Sequence, residues 1–415
     1  MPVESVCVVG LGYVGLPTAA VLAQHGFEVV GVDANPEKVR VVNEGGTPIA
    51  EPDLDTLVRT AVASGQLRAQ TRMEPADVFI IAVPTPIGDD HVPDLDQLRD
   101  AVSALAPVLE AGNLVLLEST SPVGTTEALC EWLAELRPDL SYPHAAGEAS
   151  DIRVAYSPER VLPGRILDEL VDNDRIVGGV TPRCADVAKA LYRVFVRGTC
   201  STATARTAEL VKLTENAYRD VNIAFANEIS TVCEALDVDP WEVIDLANRH
   251  PRVDVLSPGP GVGGHCIAVD PWFLVHSQPE LTRLVGAARE VNDGKPAWIV
   301  ERVVATCQGL AQPTIACLGL AYKADVGDLR ESPALAVVER LWSAVPGRVM
   351  VVEPHIANLP DRLSMDRIEL VCLADALTAA DVVVLLTDHR EFLRIEPKHL
   401  RNKRVIDTRG VWRRR

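Results

Sequence analysis

From Val6 to Asp33 the chain reads VCVVGLGYVGLPTAAVLAQHGFEVVGVD. A short apolar run, Val6 to Val9, gives way to Gly10, Gly12 and Gly15. A stretch rich in Ala and Leu follows and stops at Gly26, and a second apolar run ends at Asp33. Short β-branched runs bounded by glycine read as buried strands, with a helix between them. The rhythm continues in DVFIIAVPTP (77–86) and NLVLLEST (113–120), two apolar runs that end in small polar residues. In an open parallel sheet, ligand-binding loops sit at such strand ends. A weaker echo returns near the C-terminus. TIACLGLAYK (314–323) parallels SVCVVGLGYV, VMVVEP (349–354) parallels VVGVD, and ADVVVLLTD (380–388) parallels ADVFIIAVP. Ala321 stands where the second glycine would be, so this second unit need not bind a dinucleotide.

Residues 206–236, RTAELVKLTENAYRDVNIAFANEISTVCEAL, contain neither Gly nor Pro. Leu210, Leu213, Ala217, Val221 and Ala224 recur at helical spacing and predict an apolar stripe. One helix of this length would span roughly 45 Å, enough to bridge two domains or build a dimer interface. The pattern predicts an α/β protein: two Rossmann-like doubly wound domains joined by a long central helix and a helical middle domain. The expected parts are 1–200, 201–300 and 310–415, with QGLAQPT (308–314) at the last boundary.

Composition narrows the function. A chain of 415 residues is too long for one core. A net charge of −18 argues against a nucleic-acid surface, which needs a basic patch. No run approaches the length of a membrane helix, and no signal peptide is visible, so a cytoplasmic protein is expected. Nine scattered cysteines without a C-x-x-C pair fit a reducing compartment. The nine histidines show no ligand spacing, so no metal is expected. The basic end, 413–415, reads as a frayed tail.

The candidate chemistry begins with the first glycine turn. Strand, G-x-G-x-x-G, helix, strand and acid is the dinucleotide fingerprint in its expected setting. The glycines let a pyrophosphate reach the helix N-terminus, and Asp33 would take the ribose hydroxyls while repelling a 2′-phosphate; NAD is therefore favoured over NADP. On the long helix, Glu209, Lys212 and Asn216 lie off the apolar stripe, either as a solvated face or with Lys212 and Asn216 lining a cleft. In PGPGVGGHCIAVDP (258–271), Cys266 follows a run of glycines. It is either a nucleophile or a small buried side chain. Asp270, before Pro271, is either a helix N-cap or part of the chemistry.

Taken together, GLGYVGLP, VPTP, EST with SPVGTT, YSPER, the Lys212–Asn216 pair, GVGGHC with Asp270, GLAYK and DLRES resemble the nucleotide-sugar 6-dehydrogenases, the UDP-glucose/GDP-mannose dehydrogenase family. The resemblance runs over nearly the whole chain. It implies oxidation of a sugar C6 alcohol to a carboxylate with two NAD+ consumed, through a thiohemiacetal and a thioester. Under it Cys266 is the nucleophile, Lys212 and Asn216 stabilise the oxyanion, and Asp270 is a base acting through water. Glu159 orients or deprotonates the hydrolytic water, and Thr120 offers a hydroxyl. Tyr13, Val14, Lys38, Thr85, Thr120 and Arg330 join Gly10, Gly12, Gly15 and Asp33 as cofactor contacts. Arg160, Gly263, Lys323 and Arg409, with Glu159, Lys212 and Asn216, contact the UDP-sugar, and Arg252 does so across the interface of a homodimer. Ordinary salt bridges for Lys38 and Arg330, and a solvated tail for Arg409, are the plainer readings.

SPERVLPG, NDRIVGG and HPRVDVLSPGPGVGGHCIAVDPWF are most similar to the branch acting on UDP-N-acetyl-D-mannosamine. UDP-glucose and UDP-N-acetylglucosamine are the alternatives. His265 and Val269 depart from the UDP-glucose branch, and Pro163 stands where that branch has a second acid. Two readings lie outside the family's chemistry: a non-enzymatic nucleotide-sugar or NAD-binding regulator, and a one-step hydroxy-acid dehydrogenase with no use for Cys266.

Overall fold

The computed structural model describes residues 3–49, 51–88 and 90–412. Backbone contacts divide the chain into two units, 1–214 and 215–415, and the division falls inside the long helix.

The first unit is built on eight strands: β1 (Ser5–Val9), β2 (Glu28–Val32), β3 (Leu67–Gln70), β4 (Val78–Ile81), β5 (Leu114–Leu117), β6 (Arg153–Tyr156), β7 (Arg175–Gly179) and β8 (Cys200–Thr204). Their order is β3-β2-β1-β4-β5-β6-β7-β8. The first six are parallel, β7 runs antiparallel to β6, and β8 is parallel to β7. The chain reverses direction across the sheet between β1 and β4, where open α/β sheets place their ligands. Side chains alternate along each strand, so Val6, Val8, Ile80 and Leu116 enter one core, and Cys7, Val9, Phe79, Ile81, Val115 and Leu117 enter the other. Coverage on both faces explains why these strands read as unbroken apolar runs. Each fully buried Val, Ile or Leu contributes about 1.5–3 kcal/mol.

The second unit repeats the plan with β9 (Thr314–Leu318), β10 (Arg348–Val352), β11 (Ile368–Leu370), β12 (Val382–Leu385) and β13 (Arg404–Asp407). All pairings are parallel and the order is β11-β10-β9-β12-β13. The echo in the sequence is therefore an echo in topology, and both units carry the doubly wound α/β arrangement expected.

The long helix runs Ala205–Ala235. Its buried stripe differs from the one the spacing predicts. Leu213, Ala217 and Ala224 are buried, but Leu210 is exposed, and Glu209, Lys212, Asn216, Asp220 and Asn227 are buried among them. A solvated polar face is thus ruled out for Glu209, Lys212 and Asn216. Large apolar side chains instead face outward: Leu210, Tyr218, Phe225 and Val232, at intervals close to two helical turns. Among the described residues no helix is long and apolar enough to cross a membrane. The basic tail, 413–415, lies outside the described residues.

Candidate active site

The glycine turn after β1 is shaped by contact. Gly10 has φ +97°, and a Cβ there would stand 2.5 Å from the Ala82 carbonyl oxygen at the end of β4. A Cβ on Gly15 would stand 1.9 Å from the Gly10 carbonyl oxygen. A Cβ on Gly12 would meet nothing within 4 Å. The first and third glycines are thus demanded by packing, while the second opens onto the space a pyrophosphate needs. Tyr13 and Val14 complete the turn, half-buried, ahead of the helix Gly15–Gln24. Asp33 follows β2, accepts from the Leu11 amide at 2.9 Å and from the Asn35 amide at 2.9 Å, and pairs with Lys38 at 3.2 Å. These residues fit a dinucleotide with an unmodified ribose. Lys38 is partly exposed beside Asp33.

The second glycine turn, after β9, keeps the acid but uses it up. Glu353 occupies the place of Asp33 and accepts from the amides of Leu320 (2.7 Å), Ala321 (2.9 Å) and His355 (3.1 Å). His389 Nε2 lies 3.0 Å from the same carboxylate. The carboxylate is fully buried and is not presented to a ribose. Nearby, Asp325, His355 and His389 bring ligand-type atoms within 4.8 Å. Two of the three are committed, however. His389 Nδ1 accepts from the Asp325 amide at 2.9 Å, and the Asp325 carboxylate holds Arg390 at 2.9 Å. This is a hub tying loops together, with the cation already supplied by arginine.

In the first unit the loops after β4 and β5 are latched. Thr85 Oγ1 donates to the Thr120 carbonyl, and Ser119 Oγ donates to the Val83 carbonyl at 2.7 Å. Thr85 is buried and Thr120 half-buried. Glu159 lies past the end of β6 with its side chain 7% exposed, held by Arg175 at 2.5 Å and by the Arg160 amide at 2.7 Å. Lys212 Nζ donates to the Glu159 carbonyl at 2.9 Å, and the structure thus brings two of the candidate residues together. Arg160 reaches the Asp174 carbonyl. Glu209 is a cap: it accepts from the amides of Gly124 (2.6 Å) and Thr126 (2.8 Å) at the start of the helix Thr125–Leu136. Burial raises its carboxyl above the usual range.

In the second unit the glycine–cysteine loop is pressed from several sides. A Cβ on Gly263 would stand 2.6 Å from the Glu331 carbonyl oxygen and from Tyr322 Cβ, and Gly264, at φ +85°, packs on the Tyr322 ring. The Gly259 amide donates to Asn227 at 2.9 Å, and the Gly264 amide to the Arg330 carbonyl at 3.1 Å. Cys266 emerges exposed from this loop. Seven of the other cysteines are buried, with Cys372 the exception. The buried-hydrophobe reading fits those seven and fails for Cys266. Asp270 is not the N-cap: Val269 takes that place, and Asp270 is the first helical residue of Asp270–Ser277. Its carboxylate is 3% exposed and accepts from Asn216 Nδ2. Below that pair, Arg289 and Asn292 hold Asp220 at 2.6 and 2.8 Å, and Asn292 takes Asn227 at 2.9 Å. Burial lowers the His265 pKa, and Arg330 adds to this, so the ring beside Cys266 is neutral near pH 7.

The remaining candidates sit closer to their plainer readings. Arg330 forks onto Asp328 at 3.0 and 2.6 Å. Arg252 is exposed and Lys323 half-buried. Arg409 is no solvated tail: it pairs with Asp388 at 3.0 Å, and its guanidinium abuts Gly259. Sequence reasoning did not single out Glu118, Arg175, Tyr192 or Asn227. For Asn227 a signal existed, because Asn216, Asp220 and Asn227 continue the helical spacing of Lys212.

Comparison with known proteins agrees along the chain. Residues 4–196 match the NAD binding domain of the UDP-glucose/GDP-mannose dehydrogenase family, 206–294 its central domain, and 316–414 its UDP binding domain. An NDP-N-acetyl-D-galactosaminuronic acid dehydrogenase of Ralstonia nicotianae is 57% identical over 99% of this chain and 96% of its own length. A UDP-N-acetyl-D-mannosamine dehydrogenase of Yersinia pestis is 53% identical over the full length of both. The solved UDP-D-ManNAc dehydrogenase of Pyrococcus horikoshii superposes with a TM-score of 0.88 at 38% identity, covering 98% of this chain and 96% of that one. The glycine turn, Asp33, the two doubly wound units and these matches lead to one conclusion: the chain belongs to the UDP-glucose/GDP-mannose dehydrogenase family and is an NAD-dependent nucleotide-sugar dehydrogenase.

Proposed function

We propose that this enzyme oxidises C6 of UDP-N-acetyl-D-mannosamine to the uronate in two successive two-electron steps. The observation that carries this is Cys266, the exposed thiol on a clamped glycine loop, one turn from the buried Asp270–Asn216 pair. Bound NAD+ supplies the hydride acceptor for each oxidation. Gly10, Gly12, Gly15 and Asp33, with Tyr13, Val14, Lys38, Thr85, Thr120 and Arg330, hold it. Asp270 takes the C6 hydroxyl proton through water as the carbon passes to the aldehyde level. An aldehyde is a poor hydride donor, because direct loss would leave an acylium ion. The Cys266 thiolate adds to the aldehyde carbon, and Lys212 and Asn216 balance the charge on oxygen. Collapse of that oxyanion expels the second hydride and leaves a thioester. Glu159 takes a proton from water, the water oxygen bonds to the acyl carbon, the C–S bond breaks, and the thiolate is restored. Thr120 orients the reacting oxygen or that water.

We further read 1–200 as the NAD-binding part, 201–300 as the central part with the cysteine loop, and 310–415 as the UDP-sugar part. In the last, Lys323 and Arg409 reach the nucleotide sugar, with Arg160 and Gly263 as further contacts. The outward row of Leu210, Tyr218, Phe225 and Val232 supports a homodimer that brings Arg252 to its neighbour's substrate. The location proposed is the cytoplasm. The relatives named for a galacto-configured acid, at 57% identity, favour UDP-N-acetylgalactosamine as the second substrate reading. The deciding experiment counts NADH per limiting sugar across UDP-N-acetylmannosamine, UDP-N-acetylgalactosamine, UDP-N-acetylglucosamine and UDP-glucose. Two NADH with the manno sugar and little with the others is the expected result. Two with the galacto sugar alone transfers the substrate assignment, and one NADH per sugar removes the role given to Cys266.

A further inference from the structure

Behind Glu159 lies a buried charge cluster that the reaction scheme leaves unused. Arg175, in β7, is 5% exposed at its side chain and lies between two carboxylates, Glu159 at 2.5 Å and Glu118 at 3.5 Å. Arg175 Nη1 also reaches Ser157 Oγ at 3.4 Å, and the guanidinium stacks 4.3 Å from the Tyr192 ring. Tyr192 donates its hydroxyl to Glu118 Oε1 at 2.6 Å. Glu118 directly follows β5, two residues before Thr120, and its side chain is fully buried. Its other oxygen, Oε2, is buried with no hydrogen-bond partner among the described residues. Thr18, on the glycine-loop helix, turns its hydroxyl toward this carboxyl without closing a full hydrogen bond, and weakly favours its ionised form. The ionisable groups facing Glu118 are Arg175 from β7, Tyr192 from the helix Pro182–Tyr192, and Glu159 from the loop after β6.

Two carboxylates share one arginine in a largely buried site, Glu118 wholly enclosed and Glu159 at its edge, a costly arrangement when both are ionised. We propose that Arg175 and Glu118 form a positioning relay for Glu159: Arg175 fixes the Glu159 carboxylate, and the proton on Glu118 sets how much of the arginine's charge Glu159 feels. The inference rests on the reading that Glu159 activates the hydrolytic water. With Glu118 neutral, the guanidinium serves Glu159 alone and makes it a weak base. With Glu118 ionised, the charge is shared, and Glu159 becomes more basic. In this relay the proton sits on Oε2, the oxygen that takes neither Tyr192 nor Arg175. Burial raises the Glu118 carboxyl from the usual 4.5 to about 7, against the pull of Arg175 and with the help of Glu159, so the switch operates near neutrality. Arg175 remains a cation throughout: burial opposes its charge most strongly, but Glu159, Tyr192 and Glu118 together outweigh that opposition.

The test follows decay of the Cys266-linked acyl adduct by rapid quench and intact mass, from pH 5.5 to 8.5. In the wild type, decay quickens as pH rises through neutrality. Glu118→Gln fixes a neutral group of nearly the same shape. Its decay stays at the low-pH rate, roughly three- to tenfold slower than wild type at pH 8, and the rise disappears. Tyr192→Phe removes a donor to the Glu118 anion, so the rise moves to higher pH. Arg175→Lys keeps a charge without the fork, slowing decay while retaining the rise. A purely structural role for the cluster would scale the rate equally at every pH. A Glu118→Gln profile that rises like the wild type overturns the relay. Glu159→Gln separates the two claims. An adduct lasting about 100-fold longer upholds Glu159 as the base. Decay at the wild-type rate there overturns that reading instead.

Discussion

Cys266 and Glu118 are small features whose surroundings set their chemistry. Cys266→Ser keeps the shape of the loop and removes the strong nucleophile. Release of the uronate should fall roughly a thousandfold or more, while oxidation to the aldehyde level persists; NADH counting with product analysis by mass spectrometry reads both. Uronate release near the wild-type rate would exclude the thioester route. Glu118 also makes a prediction about stability. Its pKa is raised in the folded state, so the unfolded chain gives up this proton first as pH rises. The group therefore costs stability between about 4.5 and about 7, and that cost remains above the window. Glu118→Gln should match the wild type in Tm at pH 5 only to the extent that amide replaces acid. Its Tm relative to wild type should climb from pH 5 to pH 8, and a constant difference would refute the linkage. At this scale the sequence spoke through spacing and neighbours. Gly10, Gly12, Gly15 and Asp33 are legible because they are close in the chain. Arg175 and Glu118 are 57 residues apart, and only the sheet order puts β5 and β7 on either side of β6.

The long helix shows why an element can be located correctly and oriented wrongly. Its extent follows from 31 residues without a breaker, and the observed span is Ala205–Ala235. Its buried face does not follow from hydropathy, because that face carries Glu209, Lys212, Asn216, Asp220 and Asn227. Each of these has a partner supplied by a distant segment: a helix N-terminus, a loop carbonyl, Asp270, Arg289 and Gly259. Buried polar groups are tolerated when they are hydrogen-bonded, and no local pattern announces the partners. Glu209→Ala should expose this dependence. It leaves the amides of Gly124 and Thr126 without their acceptor at a helix start, costing about 1–2 kcal/mol. Denaturant unfolding reads the loss. An unchanged midpoint would mean that water replaces the carboxylate freely.

For the whole molecule, the alternation of apolar runs with helices was enough to foresee two doubly wound units, since each unit repeats strand, glycine turn and acid. The sequence also showed that the second turn lacks a glycine. It could not show that Glu353 is consumed by three amides and a histidine. The proposed homodimer is the prediction that belongs at this scale. Tyr218 is 69% exposed and Phe225 52%. If the proposal holds, the double variant Tyr218→Glu/Phe225→Glu should sediment as a monomer and lose activity, along with the contact proposed for Arg252. A dimer that survives it would move the interface elsewhere.

The division between the two units falls after Thr214, within the run of helix that carries Lys212 before it and Asn216 after it. Because that stretch is continuous helix, these two groups are phased by the helical screw alone, with no loop to absorb an error. Deleting one residue there would turn the remainder of the helix by about 100° and draw it in by about 1.5 Å. Surface loops elsewhere in the chain can lengthen or shorten over evolution at little cost. In this one turn of helix, an insertion or deletion would take Asn216 off the helix face it shares with Lys212.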